Sequence, residues 1–320
     1  MDCKILSICI PTYNRAAILD GALEAIEKAL RQIDSSEIEL VISDNCSPDN
    51  TKEVVQKYKE KGLPISTYIR NEENLGIIGN IKQCFKLAKG KYVWVLGDDD
   101  YIRQDTLKII LDKIQNKDYG LVHIHLKYVL ANANFHTPYI EFEQVEEFFK
   151  CISIGFTFIT ANIVATKYIA DFDFEKYEET WIPHMPLYMM TAKKYDNNLI
   201  INQELVEAAK DYKTNGGYNF FKVFIDYYLT VRKEMLQGTK DAEKYYRIEK
   251  KFYLKHFVSL AIFLFYIRRI KAPFEKKGAW EIIKKHYGKE PYFYPLLILY
   301  VPKITIQKIF GKIKRMITRK

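Results

Sequence analysis

Lys91-Tyr92-Val93-Trp94-Val95-Leu96-Gly97-Asp98-Asp99-Asp100 is the stretch whose reading decides the fold. Five apolar or aromatic residues in a row, Tyr92 to Leu96, read as a strand buried on both faces. The run stops at one glycine and three adjacent carboxylates. A buried parallel strand ends this way where its carboxyl end opens into a site, and ligands of open α/β sheets bind there. Three neighbouring like charges raise one another's pKa unless a cation sits among them or all point into water. A solvated acidic turn satisfies the second condition. We take the first, and all-oxygen ligands suit a hard divalent ion, Mg2+ or Mn2+.

Working outward, strands and helices alternate four times over the first hundred residues. Ile5 to Ile10 reads as a strand ended by Pro11, with Thr12 or Asn14 capping a helix whose apolar stripe is Ile18, Leu19, Ala22, Leu23, Ile26 and Leu30. Glu39 to Ser43 is a second strand, and Asp49 or Thr51 caps the helix from Lys52 to Lys61. Ile65 to Arg70 is a third strand. A polar loop then leads into a helix through about Ala88, with Gly90 as its terminal glycine. Such alternation predicts parallel strands joined by crossover helices, an α/β fold. The strand ends carry Thr12 with Asn14 and Arg15, Asp44 with Asn45, Arg70 with Asn71, and Asp98 to Asp100, with Gly76 and Asn80 in the loop after the third strand. In a parallel sheet these ends converge on one crevice. Backbone N–H groups, arginine and carboxylates together suit a phosphate-containing ligand bound through a metal. A Gly-x-Gly-x-x-Gly fingerprint after the first strand and a Gly-Lys-Ser/Thr phosphate loop are both missing.

Ser7-Ile8-Cys9-Ile10-Pro11-Thr12-Tyr13-Asn14-Arg15, Val41 through Thr51, Arg70-Asn71-x-x-Asn74-x-Gly76 and Leu96-Gly97-Asp98-Asp99-Asp100 together resemble glycosyltransferase family 2. Within it, the Gly-Asp-Asp-Asp ending is similar to the bacterial polysaccharide enzymes related to abequosyltransferase. The resemblance covers about residues 4–115. It implies a GT-A fold, a nucleotide-sugar donor, an inverting transfer and a divalent cation. Carried over, Pro11, Thr12 and Tyr13 line the nucleotide pocket with Asn14 and Arg15. Asp44 accepts a hydrogen bond from the base, and Arg70 and Asn71 flank base or ribose near Gly76 and Asn80. Asp98 and Asp99 stand at the DXD-type motif, with Asp99 first as metal ligand and Asp100 and Asp98 beside it. Many relatives have aspartate where this chain has Gly97, which leaves the division of labour among the three open. A UDP-sugar is the favoured donor, with CDP or dTDP as alternatives. The family's base is often in a Glu-Asp pair before a downstream helix. Here Tyr177-Glu178-Glu179-Thr180-Trp181-Ile182-Pro183-His184 precedes a helix expected near Pro186. Glu179 is the first candidate, with Glu178, Asp173 and His184 as alternatives.

Other signals are weaker. His123 and His125 fall on one face of a strand read from Leu121 to Tyr128, as a metal pair or as core histidines. Phe156 to Ala161 is either core strand or, by resemblance, the floor of the acceptor site. Five scattered cysteines with no Cys-x-x-Cys pair argue against a disulfide framework or a zinc ribbon and fit a reducing compartment. A strand pattern from Ile5 leaves no room for a signal peptide, and no apolar run reaches about 18 residues.

The charge of +9 is uneven: the excess is −2 over residues 1–120, −6 over 121–209 and +17 over 210–320. Residues 303–320 carry seven basic side chains and no acidic one, with Ile306, Ile309, Phe310, Ile313, Met316 and Ile317 on one helical face. Such a helix lies in a membrane interface, or packs on the domain with a solvated basic face. Tyr292 to Val301 is an apolar stretch too short to span a bilayer, and Pro302 is expected to break it. No nucleic-acid-binding motif accompanies the charge. The expected organisation is a GT-A domain over 1–210, with its nucleotide half at 1–115 and acceptor half at 116–210. A helical region over 211–320 follows, with a membrane-associating tail at 292–320. The expected activity is transfer of a sugar to a lipid-linked oligosaccharide on the inner face of a bacterial membrane, in surface polysaccharide synthesis. The alternative is a membrane-bound sugar-nucleotide-binding scaffold without a base. The sequence leaves the oligomeric state open.

Overall fold

The computed structural model describes residues 4–125, 136–208, 217–269, 271 and 274–303. The basic tail from residue 304 onward and Leu126, Lys127 and Tyr128 of the expected strand lie outside the described residues. The chain divides into two compact units, 1–212 and 213–320.

The first unit is built on an eight-stranded sheet. In chain order its elements are β1 (Leu6–Thr12), α1 (Ala16–Leu30), β2 (Ile38–Asp44), α2 (Thr51–Glu60), β3 (Ile65–Arg70), α3 (Gly76–Leu87) and β4 (Tyr92–Val95). There follow β5 (Asp100–Ile102), α4 (Thr106–Ile114), β6 (Leu121–Ile124), β7 (Tyr139–Phe142), α5 (Val145–Ile152), β8 (Asn162–Ala165), α6 (His184–Lys193), β9 (Asn198–Ile201) and β10 (Val206–Ala208). The spatial order is β3-β2-β1-β4-β8-β6-β9-β7. β3, β2, β1 and β4 are all parallel, as the alternating pattern requires. β8 then enters antiparallel beside β4, and β7 closes the far edge antiparallel to β9. β5 and β10 form a separate antiparallel ribbon.

Period two sorts the buried strand residues between two helical layers. Leu6, Ile8 and Ile10, Leu40 and Ile42, and Tyr92, Trp94 and Leu96 join one core with the apolar stripes of α1, α2 and α4. Cys9, Val41, Val93 and Val95 are equally buried outside that cluster, and α3 packs on β1, β2 and β4. Every residue of β4 is fully buried, as a strand covered on both faces must be.

Several local expectations are corrected. β1 does not stop at Pro11 but pairs with β2 through Thr12. Cys9 O accepts from Leu96 N–H on the β4 side, whereas Thr12 O accepts from Asn45 N–H on the β2 side. Pro11 therefore faces the side where β4 pairing has just ended, and its missing N–H costs nothing. Neither Thr12 nor Asn14 caps α1, which has Arg15 at its N-cap without a side-chain bond. Asp49 instead serves two helices, accepting from Ala16 N–H at 2.8 Å and from Thr51 N–H at 3.2 Å. Gly90 is not a positive-φ helix terminator. It is small because a Cβ there would lie 2.8 Å from Ser7 N. Phe156 to Ala161 is not strand but lies in two short 3-10 turns, Ser153–Thr157 and Ile159–Ala161. α6 starts two residues before Pro186, which its first turn tolerates because the N–H there has no partner to lose.

The second unit is helical, with α7 (Tyr228–Leu236), α8 (Ala242–Tyr253), α9 (Ser259–Ile262) and α10 (Ala279–Tyr287). π-turns at Lys222–Tyr227, Leu254–Val258 and Phe263–Ile267 precede or flank α7 and α9. Arg232 and Glu249 form a buried ion pair, and Tyr228 donates its hydroxyl to the same carboxylate at 2.5 Å. Residues 293–303 are helical, so Pro302 does not end that segment where expected.

Asp49→Ala removes a bond from the start of each of α1 and α2. Urea unfolding should show a loss of about 1–2 kcal/mol, the usual range for one lost cap or slightly above. The bonds from Thr51 and Ala16 outweigh burial and hold the Asp49 pKa low. Its contribution should therefore be full above about pH 4 and fade as pH falls through the folded pKa.

Candidate donor and metal site

The carboxyl ends of β1, β2, β3 and β4 bring four loops to one rim. Asp44, at the end of β2, is buried, and each of its oxygens already accepts one bond. Ser47 N–H donates at 2.9 Å and Tyr68 O–H at 2.8 Å. The Arg70 guanidinium lies 3.9 Å from the same carboxylate and donates to Ser47 O at 3.1 Å. Each Asp44 oxygen keeps a second lone pair for a ligand donor.

A network of asparagines fixes the loops. Asn45 Oδ1 accepts from Leu75 N–H at 2.8 Å, and its Nδ2 donates to Asn74 Oδ1 at 2.7 Å and to Gly76 O at 3.2 Å. Asn80 Nδ2 donates to Ser43 O at 3.0 Å, and its Oδ1 accepts from Ser43 Oγ at 2.6 Å and Asn71 Nδ2 at 3.3 Å. Asn71 and Asn80, both expected at the nucleotide, are buried and bonded to one another and to the strand ends, so they brace the rim. Tyr13, Asn14, Gly76 and Arg70 are exposed there, while Pro11 and Arg15 are half-buried. Asn14 has φ +53°, and its N–H donates to Ser47 Oγ at 2.9 Å, which locks the turn after β1 onto the turn after β2.

The three carboxylates after β4 have three different surroundings. Asp98 is buried, accepts from Thr12 Oγ1 at 2.8 Å, and pairs with Arg15 Nη1 at 2.8 Å. Burial raises its pKa against the pull of Arg15 and Thr12. Asp98 thus has one partner on each oxygen within the chain, whereas an oxygen each of Asp99 and Asp100 lies toward Gly97. Asp99 is partly exposed, with Arg15 Nη1 4.0 Å away. Asp100 Oδ2 accepts from Thr160 Oγ1 at 2.6 Å. Burial, then the charges of Asp99 and Asp98, push Asp100 up to about 6.

Gly97 explains how two of them meet. A Cβ on Gly97 would lie 2.8 Å from Asp100 Oδ2 and 2.9 Å from Asp99 Oδ1. Both oxygens thus face one small space that any larger residue would fill. Among the described residues no group of three or more His, Cys, Asp or Glu side chains is gathered to hold a metal. Two carboxylates are nonetheless the donor set Mg2+ or Mn2+ uses when substrate phosphates and water complete its shell. The residues present fit a divalent cation of that kind at Asp99 and Asp100.

Thr160 is the residue sequence reasoning placed least well. Besides donating to Asp100, its Oγ1 accepts from Gly97 N–H at 3.0 Å, and its carbonyl accepts from Trp94 Nε1 at 2.7 Å. It ties the 3-10 turns before β8 to the end of β4. Tyr68 and Asn74 also went unassigned, although Asn74 sits within a quoted motif.

The candidate bases lie in the 3-10 stretch Glu175–Thr180 and just beyond. Glu178 is exposed and 3.8 Å from Lys82, which also pairs with Glu175 at 2.5 Å. Glu179 and Asp173 are exposed. His184 is buried, with Nε2 3.0 Å from Thr157 O, so it donates there and leaves Nδ1 without a hydrogen-bond partner among the described residues. Burial pulls its pKa down to about 4. His123 is likewise buried, with Nδ1 2.9 Å from Asn162 Oδ1 and its pKa pulled down to about 4. It is a core histidine and not half of a metal pair.

With this geometry in place, the glycosyl transferase family 2 model matches residues 7–177, more than half of the chain. The chain belongs to glycosyl transferase family 2. Abequosyltransferase RfbV of Salmonella typhimurium is 30% identical over 203 residues, 58% of this chain and 60% of that protein. The GalNAc(5)-diNAcBac-PP-undecaprenol beta-1,3-glucosyltransferase of Campylobacter jejuni is 29% identical over 119 residues, 37% of this chain and 36% of that one. The family 2 chain thus spans less than two thirds of these relatives. The crystal structure of S. aureus TarS 1–349 with UDP-GlcNAc superposes with a TM-score of 0.66 over 96% of this chain and 92% of that one, at 18% identity. The fold is that of the GT-A enzymes.

Buried neutral imidazoles make stability pH-dependent. Both folded pKa values lie below the unfolded value near 6.5, so stability is lost as pH falls from about 6.5 toward about 4. Each should cost about 2 kcal/mol between pH 7 and pH 5. Urea unfolding should show this fall, and it should be smaller in His123→Asn.

Proposed function

We propose that this family 2 protein is an inverting, metal-dependent glycosyltransferase. It moves a sugar from a nucleotide donor, a UDP-sugar first, to a lipid-linked oligosaccharide in surface polysaccharide synthesis. The observation that carries the donor half is the convergence of Asp99 and Asp100 over Gly97, on the rim that also bears Asp44, Arg70 and Tyr13. UDP-GlcNAc in the TarS complex supports the donor class. The lipid-linked substrate in the name of the Campylobacter relative supports the acceptor class.

The protein's own groups divide the task. The Asp44 carboxylate takes a donor N–H of the base, Tyr13 offers a ring face, and Arg70 stands beside Asp44. Asp99 and Asp100 would hold the divalent cation, whose chemistry is to neutralise charge on the departing diphosphate. Arg15, fixed by Asp98, adds positive charge on the same side. The acceptor hydroxyl gives its proton to a carboxylate as it attacks the anomeric carbon. We assign that base to Glu179, which is exposed, since Glu178 sits by Lys82 and His184 is buried. No helix among the described residues is long and apolar enough to cross a membrane. The basic second unit supports peripheral attachment to the inner membrane face.

Calorimetric titration with UDP, CDP and dTDP, with and without Mn2+, tests the reading. One nucleotide should bind in a Mn2+-dependent way. Asp99→Ala should abolish the metal dependence, and Gly97→Ala should weaken it about tenfold or more by filling the space between the two oxygens. Metal-independent binding unaffected by either change would contradict the donor site. Glu179→Gln should lower kcat about 100-fold or more with nucleotide affinity intact, and near-normal turnover would remove Glu179 from the role.

A further inference from the structure

The helix over residues 293–303 carries no charged side chain before Lys303. Only Phe293 is fully buried; Ile298 is 74% exposed, Leu299 59% and Tyr294 53%. Tyr294 and Ile298 are four residues apart and share a face, with Leu299 beside it. Trp280 at the start of α10 extends the patch, being exposed itself and 5.9 Å from the Phe293 ring, which in turn lies 4.7 Å from Tyr294. A helix apolar all round and half uncovered calls for an apolar partner.

Lysines ring the patch and rest against its aromatics. Lys284 Nζ lies 5.5 Å from the Trp280 ring, and Lys251 the same distance from Tyr292. Lys255 and Lys303 both lie 5.5 Å from Tyr300. Of the nearby carboxylates, Glu290 pairs with Lys250 at 2.5 Å and Glu281 follows Trp280. Apolar and aromatic groups at the centre with cations at the edge match an anionic bilayer surface, where rings and aliphatic groups sink to headgroup depth and lysines meet lipid phosphates. A second copy would set one lysine ring against another, which the +17 excess of residues 210–320 disfavours.

We propose that Tyr294, Ile298, Leu299 and Trp280 form a membrane-inserting face, and that Lys251, Lys255, Lys284 and Lys303 bind anionic headgroups around it. The proposal rests on the peripheral attachment read above and names the surface that makes it. It places insertion on a folded helix and not on the basic tail alone.

The test is co-sedimentation of the full chain with vesicles of phosphatidylcholine containing phosphatidylglycerol, and of phosphatidylcholine alone. Wild type should bind the anionic vesicles, less so in about 0.5 M salt, where screening is short-ranged. Ile298→Glu with Leu299→Glu should lower partitioning about tenfold or more, because both side chains leave an apolar phase. Its thermal midpoint and monodispersity should match wild type; if that pair does not fold, Ile298→Ser with Leu299→Ser serves the same purpose. A chain truncated after Lys303 should keep measurable binding. Undiminished binding of the paired variant, or complete loss on truncation, would overturn the inserting face while leaving membrane attachment standing. No binding of wild type to either vesicle would overturn both. A wild-type dimer that becomes a monomer in the paired variant would assign the patch to self-association instead.

Discussion

Three carboxylates on consecutive residues cannot all leave water with their charge unless each finds its own compensation. The rim at the end of β4 is arranged around that constraint. Asp98 takes Arg15 and Thr12, Asp100 takes the Thr160 hydroxyl, and Asp99 stays partly solvated. Arg15 comes from the turn after β1 and Thr160 from the turn before β8, so the same compensation draws both halves of the sheet to one point. Desolvation still leaves Asp100 pushed up to about 6. A divalent cation in the space above Gly97 would supply the missing positive charge.

The neighbouring loops show a similar economy. Buried Asn45 and Asn80 satisfy backbone groups at the rim, and the Asn71 amide ties the two together. These side chains are occupied in holding the loops, and the Tyr13 ring and Arg70 guanidinium stand exposed at the rim with Asp99 partly so. In the proposed donor site, groups held in this way would meet a nucleotide with little rearrangement of their own.

The parallel half of the sheet was legible because each strand there is a continuous apolar run and each helix an apolar stripe with turn residues between. The second half was not, since β6, β8 and β9 are four residues long and one 3-10 turn follows another from Ser153 to Ala161. Order of residues along the chain also cannot tell a ligand from a strut. Asn80 in α3 and Asp98 after β4 were expected at nucleotide and metal, and nothing in the sequence signals that each is also bonded within the chain, to Ser43 and to Thr12 and Arg15. Thr160 escaped notice for the opposite reason: it lies 60 residues from Asp100 in sequence and 2.6 Å from it in space. Gly97 was visible as a departure from the family pattern, but its meaning needed the positions of two carboxylate oxygens. In the second unit, composition alone marked the charge excess. Which apolar residues stay uncovered depends on the packing of Phe293 and Trp280.

Crystals grown with Mn2+ and UDP, with data collected at the manganese absorption edge, test the central claim most directly. The account predicts an anomalous peak in contact with Asp99 and Asp100 beside Gly97, bridging to the diphosphate, with Asp98 still on Arg15. A nucleotide bound elsewhere, or a manganese peak away from these carboxylates, would contradict it.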